Sequence, residues 1–413
     1  MAIYEYFSTT YTEARTKFLS AAEAAGAELA HHVLPTCRGP GNGELACDVA
    51  SLGASNAESL LVLISGTHGV EGFCGSGCQV GYLADRLDQA LSPKSAVVLI
   101  HAINPFGFAW LRRVNEDGVD LNRNFHEFSG PLPSSESYEA LHDWLIPSQW
   151  EGEERAKADA ELQRYIAKKG LMALEAEIAG GQYTPELRYI AKKGLGVIQA
   201  EFTEGRSTPE LREYIAKRGL RAVQAEITGG QYTRPSGLFY GGTKETWSNQ
   251  ILRRILRSYV TAKIKRLAVI DFHTGLGEPG FGEPIYVGQT KEEFELAKTW
   301  YGPEVKNLSE GEAVATALSG SVANALLSAT SERQSIYLAL EFGTAPPRKV
   351  LDALRADHWL HVIPDRVTRF RDQIKRQIRD AFYLDDPWWK VAVYGRAIDF
   401  MMRATRALQN SAS

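Results

Sequence analysis

Four nearly uninterrupted apolar runs divide the chain: Leu60–Ser65 (LLVLIS), Ala96–His101 (AVVLIH), Arg266–Phe272 (RLAVIDF) and Ile336–Phe342 (IYLALEF). A strand that is apolar at every position, not at every second one, must be covered on both faces, so each run predicts a buried strand of an α/β sheet. Helical spacing falls around them. Ala14, Phe18, Ala21 and Ala25 recur at a helical period and predict an opening helix over residues 10–30. Gly75–Leu87 reads as a helix between the first two strands, and Thr36–Glu44, with one Pro and three Gly, reads as a loop. Pro364–Tyr383 predicts an amphipathic helix with Val367, Phe370, Ile374 and Ile378 on one face. Its other face is rich in Arg and Lys, but the interspersed Asp365, Asp372 and Asp380 mark it as solvated surface. The tail Asn410–Ser413 is expected to fray. Alternation of strands and helices gives the class as α/β.

An internal repeat interrupts this order. YIAKKGL at Tyr165–Leu171 returns at Tyr189–Leu195 and, with Arg218, at Tyr214–Leu220, spacings of 24 and 25 residues. Thr184-Pro185-Glu186 and Thr208-Pro209-Glu210 place a capping residue and a first-turn proline before the second and third copies. Gly170, Gly194 and Gly219 should break each unit into two short helices. The expectation is a helical insert over 151–235 with three tandem repeats, stacked on a catalytic domain formed by 1–150 and 236–413. Its copies read as a structural duplication, with a dedicated binding surface as the other reading.

Composition narrows the function. The chain has 413 residues, a formal net charge of −4 and an apolar fraction of 44%, which offers no basic footprint for nucleic acid and no polybasic membrane anchor. No stretch approaches the roughly 18 apolar residues of a membrane span. The start shows no secretory pattern, and four cysteines do not make a disulfide scaffold, so a cytoplasmic location is expected.

Three strand ends carry the chemistry. Thr67-His68-Gly69-Val70-Glu71-Gly72 follows the first run, Asp271-Phe272-His273-Thr274-Gly275 ends the third, and Leu340-Glu341-Phe342-Gly343-Thr344 ends the fourth. Glycines at 66, 69 and 72 predict a tight turn, in which His68 and Glu71 can converge on one ion; a second imidazole from His273 completes a set suited to zinc with an open position. Taken alone, Glu71 would be a capping carboxylate and each histidine a packed one. A glycine-rich loop, Gly275–Gly282, follows His273. Arg112–Phe125 is dense in hydrogen-bonding groups: one arginine there can grip a carboxylate and another can face a developing oxyanion. On its own that segment is also consistent with a solvated loop. Cys74 and Cys78 read as small residues packing a helix start, and His31, His32, His358 and His361 as structural. Ser65 and Ser76 lack a nucleophile elbow.

Together, SGTHGVEGF, NPFGFAWLRRVNEDGVDLNRNF, GLFYGG, IDFHTGLG and ALEFGT resemble the zinc carboxypeptidase superfamily. That group also includes succinylglutamate desuccinylase and aspartoacylase, and the closer resemblance is to its DUF2817 branch. The resemblance covers most of residues 5–400, with one copy of the repeat expected before GLFYGG. It implies a three-layer sandwich around a mixed, mostly parallel sheet of about eight strands. It implies that His68, Glu71 and His273 hold one zinc ion per chain, that Asp120 orients the first histidine, and that Arg113 polarises the scissile carbonyl. Asn122 and Arg123 would bind the free carboxylate of the substrate, and Glu341 would act as general base and acid on the zinc-bound water. A substrate-covering tyrosine is also implied, with Tyr286, Tyr301 and Tyr337 left as alternatives. The expected function is zinc-dependent hydrolysis of an amide beside a free carboxylate, on a peptide or an N-acyl amino acid. A deacylase of the aspartoacylase type is the first alternative, and a non-catalytic scaffold working through the repeats is the second. Neither nucleic acid nor membrane is an expected partner, and the oligomeric state stays open.

Overall fold

The computed structural model describes residues 2–132, 136–169, 231–288, 290–308, 313, 320–327, 333–362 and 370–409. Eight strands among them form one sheet: β1 (Glu28–Val33), β2 (Ala46–Gly53), β3 (Ser59–Ile64), β4 (Ser95–His101), β5 (Arg266–Pro279), β6 (Gly282–Tyr286), β7 (Lys306–Asn307) and β8 (Gln334–Gly343). Their order is β1-β2-β4-β3-β5-β8-β6-β7. The centre, β4-β3-β5-β8, is parallel, β6 pairs with β7 in parallel, and β1, β2 and β6 join their inner neighbours antiparallel. The sheet is therefore mixed and mostly parallel, as expected.

Each central strand feeds two cores, which is why its apolar run is continuous. Leu61 and Leu63, Val97 and Leu99, Ala268 and Ile270, and Leu338 and Leu340 enter one core. It is closed by α1 (Tyr11–Ala25), α2 (Gly72–Ala84) and the C-terminal helix Pro387–Gln409. Leu60 and Val62, Val98 and Ile100, and Leu267 and Val269 enter the other, under helix Trp247–Tyr259. Three layers result, helix, sheet and helix. A third apolar cluster joins helices Glu136–Leu145, Gly152–Lys169, Pro347–Val362 and Arg371–Phe382.

Several boundaries differ from those expected. The opening helix ends at Ala25, where Gly26 takes φ 77°, and residues 28–33 form strand β1 instead of its last turn. The helix predicted over Gly75–Leu87 spans Gly72–Ala84. The glycine-rich segment after His273 is no free loop: it prolongs β5 to Pro279 through a register shift against β8 and turns into β6. The predicted helix Pro364–Tyr383 is seen as Arg371–Phe382, residues 363–369 being outside the described range. Residues 170–230, with the second and third repeat copies, and the tail 410–413 also lie outside it. At the predicted insert's start, Asp159 accepts a hydrogen bond from buried Arg355 at 2.9 Å. At its end, Gln231 and Tyr232 are buried, and Tyr232 Oη donates to the Arg123 carbonyl at 2.7 Å.

Helix α2 sets the position of the catalytic turn that precedes it, and glycine lets its neighbours approach. A Cβ on Gly81 would lie 2.3 Å from the Tyr394 ring of the C-terminal helix. Gly81→Val should therefore cost roughly 1–3 kcal/mol through overpacking, read as a lower midpoint in urea denaturation.

Candidate metal centre and catalytic cleft

Strand β3 delivers the chain into a turn whose shape is dictated by close backbone approach. Gly66 takes φ 70°. At Gly69 a Cβ would lie 2.0 Å from the backbone of Gly107, so only glycine fits. The Gly69 amide donates to the Arg113 carbonyl at 3.1 Å and the Val70 amide to the Arg112 carbonyl at 2.9 Å. These two bonds strap the His68–Glu71 turn to the loop that carries Arg113.

His68, Glu71 and His273 converge, each with a ligand atom within 4.8 Å of the others. Nδ1 of His68 lies 2.8 Å from one Glu71 oxygen, and Nδ1 of His273 lies 3.1 Å from the other. Each imidazole has a carboxylate behind it. His273 Nε2 contacts Asp271 at 2.9 Å, and His68 Nε2 lies 3.3 Å from Asp120 without hydrogen-bond alignment. Two Nδ1 atoms and a carboxylate facing one point, with outer carboxylates fixing ring orientation, fit a zinc-type ion. These three residues would hold it.

Without an ion, the charges of the cluster compensate one another. Burial pushes the Glu71 carboxyl up, but His68 and His273 outweigh it and hold the group well below the usual carboxylate range. Burial likewise works against His273, yet Asp271 and Glu71 raise it well above an ordinary imidazole. Asp120 is held low, against its own burial, by Arg113, His68 and Arg123.

The sheet register brings in the remaining carboxylate. His273 on β5 stands directly opposite Glu341 on β8. Glu341 is 8% exposed and accepts a hydrogen bond from the Leu276 amide at 3.1 Å. Burial first, then the charge of Glu71, push its carboxyl up to about 8.

The loop after β4 contributes the cations. Asp120 accepts from Arg113 Nε at 2.8 Å and from the Asn122 amide at 3.0 Å, capping the short turn Leu121–Arg123. Arg113 Nη1 also reaches Glu71 at 3.4 Å. Asn122 Oδ1 accepts from the Val322 amide at 2.9 Å. Arg123 is 3% exposed, and its Nε finds no hydrogen-bond partner among the described residues. Arg113, Asn122, Arg123 and Glu341 open with the metal cluster onto one cleft, of about 160 Å³.

All eight site residues expected from the sequence thus meet at one edge of the sheet. The tyrosine alternatives separate: Tyr286 Oη donates to Glu293 at 2.7 Å, and both Tyr286 and Tyr301 belong to the opposite core. Tyr337 lines the cleft, but its hydroxyl donates to Asp271 at 2.6 Å. Asp271 itself escaped the sequence reading. It is fully buried and also accepts from Thr67 Oγ1 at 3.0 Å. The signal was its position two residues before His273, which places both side chains on one face of a strand. The other histidines and the cysteines stand apart: His31 contacts Asp48, His358 contacts the Ser236 carbonyl, and Cys74 and Cys78 are buried thiols of α2.

Asp271→Asn should weaken zinc binding by about 10–100-fold, measured by competition with a chromophoric chelator. In the metal-free protein, the raised Glu341 carboxyl contributes stability that is present below the unfolded pKa and lost as pH rises through about 8. Glu341→Gln lacks this loss, so its melting temperature should gain on that of the wild type between pH 5 and pH 9 in the presence of chelator.

Comparison with known proteins places the chain. A search of curated proteins finds no match. Among solved structures, carboxypeptidase A from Helicoverpa armigera is similar at 10% identity and a TM-score of 0.39, over 95% of this chain and 73% of that one. An aspartoacylase family protein from Mesorhizobium loti is similar at 11% identity and a TM-score of 0.33, over 83% and 68%. Murein-tripeptide amidase MpaA from Escherichia coli O157 is similar at 14% identity and a TM-score of 0.29, over 82% and 93%. The family model described as "Protein of unknown function (DUF2817)" matches residues 7–187 and 199–396, and the chain belongs to that family.

Proposed function

We propose that this protein is a zinc-dependent hydrolase that cleaves an amide bond beside a free carboxylate, in the manner of a carboxypeptidase. One observation carries the reading. Arg123 is a buried cation with an unpartnered Nε, and it opens onto the same cleft as the His68/Glu71/His273 cluster and Glu341. Leaving a buried N–H donor without an acceptor is costly, and an anionic substrate group would supply that acceptor.

His68, Glu71 and His273 would hold the ion, which when bound supplies Lewis acidity toward a carbonyl and makes water acidic near neutral pH. Arg123 and the side-chain Nδ2 of Asn122 take the substrate carboxylate, so that attack is effectively intramolecular. Arg113, fixed by Asp120, stabilises the negative charge that develops on the carbonyl oxygen. Glu341 accepts the proton of the attacking water and delivers it to the leaving nitrogen. Leu276, Ile285, Val287, Leu308 and Ala339 line the cleft beside these groups, so an apolar group flanking the amide is preferred.

The test is a pool of free-acid peptides, their C-terminal amides and N-acyl amino acids, with products read by mass spectrometry. Wild-type protein loaded with zinc should hydrolyse free-acid substrates and spare the amides, and chelator should stop it. Glu341→Gln should keep zinc and lose about 10²–10⁴-fold in turnover. Arg123→Leu should lose at least tenfold in kcat/KM on free acids. Release of single C-terminal residues establishes a carboxypeptidase, whereas cleavage of acyl conjugates alone establishes a deacylase. Near-full activity of Glu341→Gln, or no hydrolysis of any pool by the wild type, rejects the proposal.

A further inference from the structure

The motif GLFYGG (Gly237–Gly242) has no role in the scheme above, yet its third residue sits in the cleft. Phe239 takes φ 57°, the left-handed region that a bulky side chain rarely adopts. Its neighbours are tied down on both sides. The Leu238 amide donates to Tyr138 Oη at 2.5 Å, and the Tyr240 carbonyl accepts from the Asp120 amide at 2.8 Å. Between these anchors the backbone turns the phenyl ring toward the cleft, where it lies 5.0 Å from the Arg113 guanidinium and 5.7 Å from that of Arg123. Strain of this kind, at a residue held by its surroundings, points to a task for the side chain.

We infer that Phe239 is a positioning residue whose ring clamps the Arg113 and Arg123 guanidinium groups side by side and shields them from water. The inference rests on the proposed function only in assigning these arginines to substrate. Two cations brought into one buried site repel, and the negative face of an aromatic ring offsets that repulsion without consuming a hydrogen bond. Geometry makes a ring better than a carboxylate here. The N–H donors of a guanidinium lie in its plane, so a contact on its face leaves them free for a carboxylate or an oxyanion. Arg123 shows the result: it is buried, lies over the ring, and its Nε has no hydrogen-bond partner among the described residues. The Phe239 side chain also packs against the apolar cluster that includes Val350, Leu351 and Leu354, which holds it in place.

Phe239→Gly and Phe239→Tyr test this, since φ 57° suits glycine and the first variant keeps the backbone unstrained. Two readouts are taken on the full chain. One is the rate at which phenylglyoxal modifies Arg113 and Arg123, followed by peptide mass spectrometry. The other is the affinity for N-acetyl-L-leucine, measured by calorimetry. Phe239→Gly should label both arginines several-fold faster and bind the probe about tenfold more weakly, while Phe239→Tyr keeps wild-type values for both. Wild-type labelling and affinity in Phe239→Gly would overturn the inference, as would a Tyr variant that behaves like the Gly variant. Labelling requires neither turnover nor substrate. Faster labelling in Phe239→Gly, in a protein whose wild type binds no N-acyl amino acid and cleaves no amide, upholds the clamp and rejects the substrate assignment.

Discussion

A carboxylate buried as deeply as Glu71, 2% exposed, cannot remain charged in a protein interior without compensation. That constraint organises the edge of the sheet. Glu71 is held between His68 and His273, and it also accepts the Thr274 amide at 3.0 Å. Each histidine is backed by a further carboxylate, and those carboxylates are in turn satisfied, Asp120 by Arg113 and Asp271 by Thr67 and Tyr337. Removing any member would leave a buried charge uncompensated. The cluster is thus a single electrostatic unit of mutually compensating groups.

Sheet geometry places the unit. Side chains two apart on a strand share a face, so Asp271 and His273 on β5 share one face, and Tyr337, Ala339 and Glu341 on β8 share one face. The pairing of His273 with Glu341 sets the His/Glu/His cluster and the buried Glu341 carboxyl side by side, while Ile285 on β6 pairs with Ala339 and brings an apolar surface next to them. Chemistry and substrate wall are therefore successive positions of one sheet. The cations come from outside it, on a loop fastened by backbone hydrogen bonds to the His68–Glu71 turn on one side and, through the Asp120 amide and the Asn124 side chain, to the carbonyls of residues 240–241 on the other.

Much of this was legible in the chain. The four central strands were, because burial on both faces demands an apolar residue at every position. The His/Glu/His set was, because glycines at strand ends announce tight turns and few residue types ligate zinc. The outer strands were not. The exposed edge of β1 (ELAHHV) needs no apolar alternation, and β7 is two residues long. Nor was the path after His273, where glycines suggested a loop but backbone pairing with β8 and β6 extended the strand.

The sequence by itself determined the α/β class, the order of the chemical groups and the His/Glu/His set that converges, since those follow from local patterning and residue type. Only tertiary structure decided that Asp271 contacts His273, that Tyr337 is engaged with Asp271, and that the Phe239 ring lies beneath two guanidinium groups. These are contacts between residues as far as 126 positions apart, or choices of which face a side chain takes. No local pattern encodes them, because strand register and the path of a strained turn are set by the packing of the whole core.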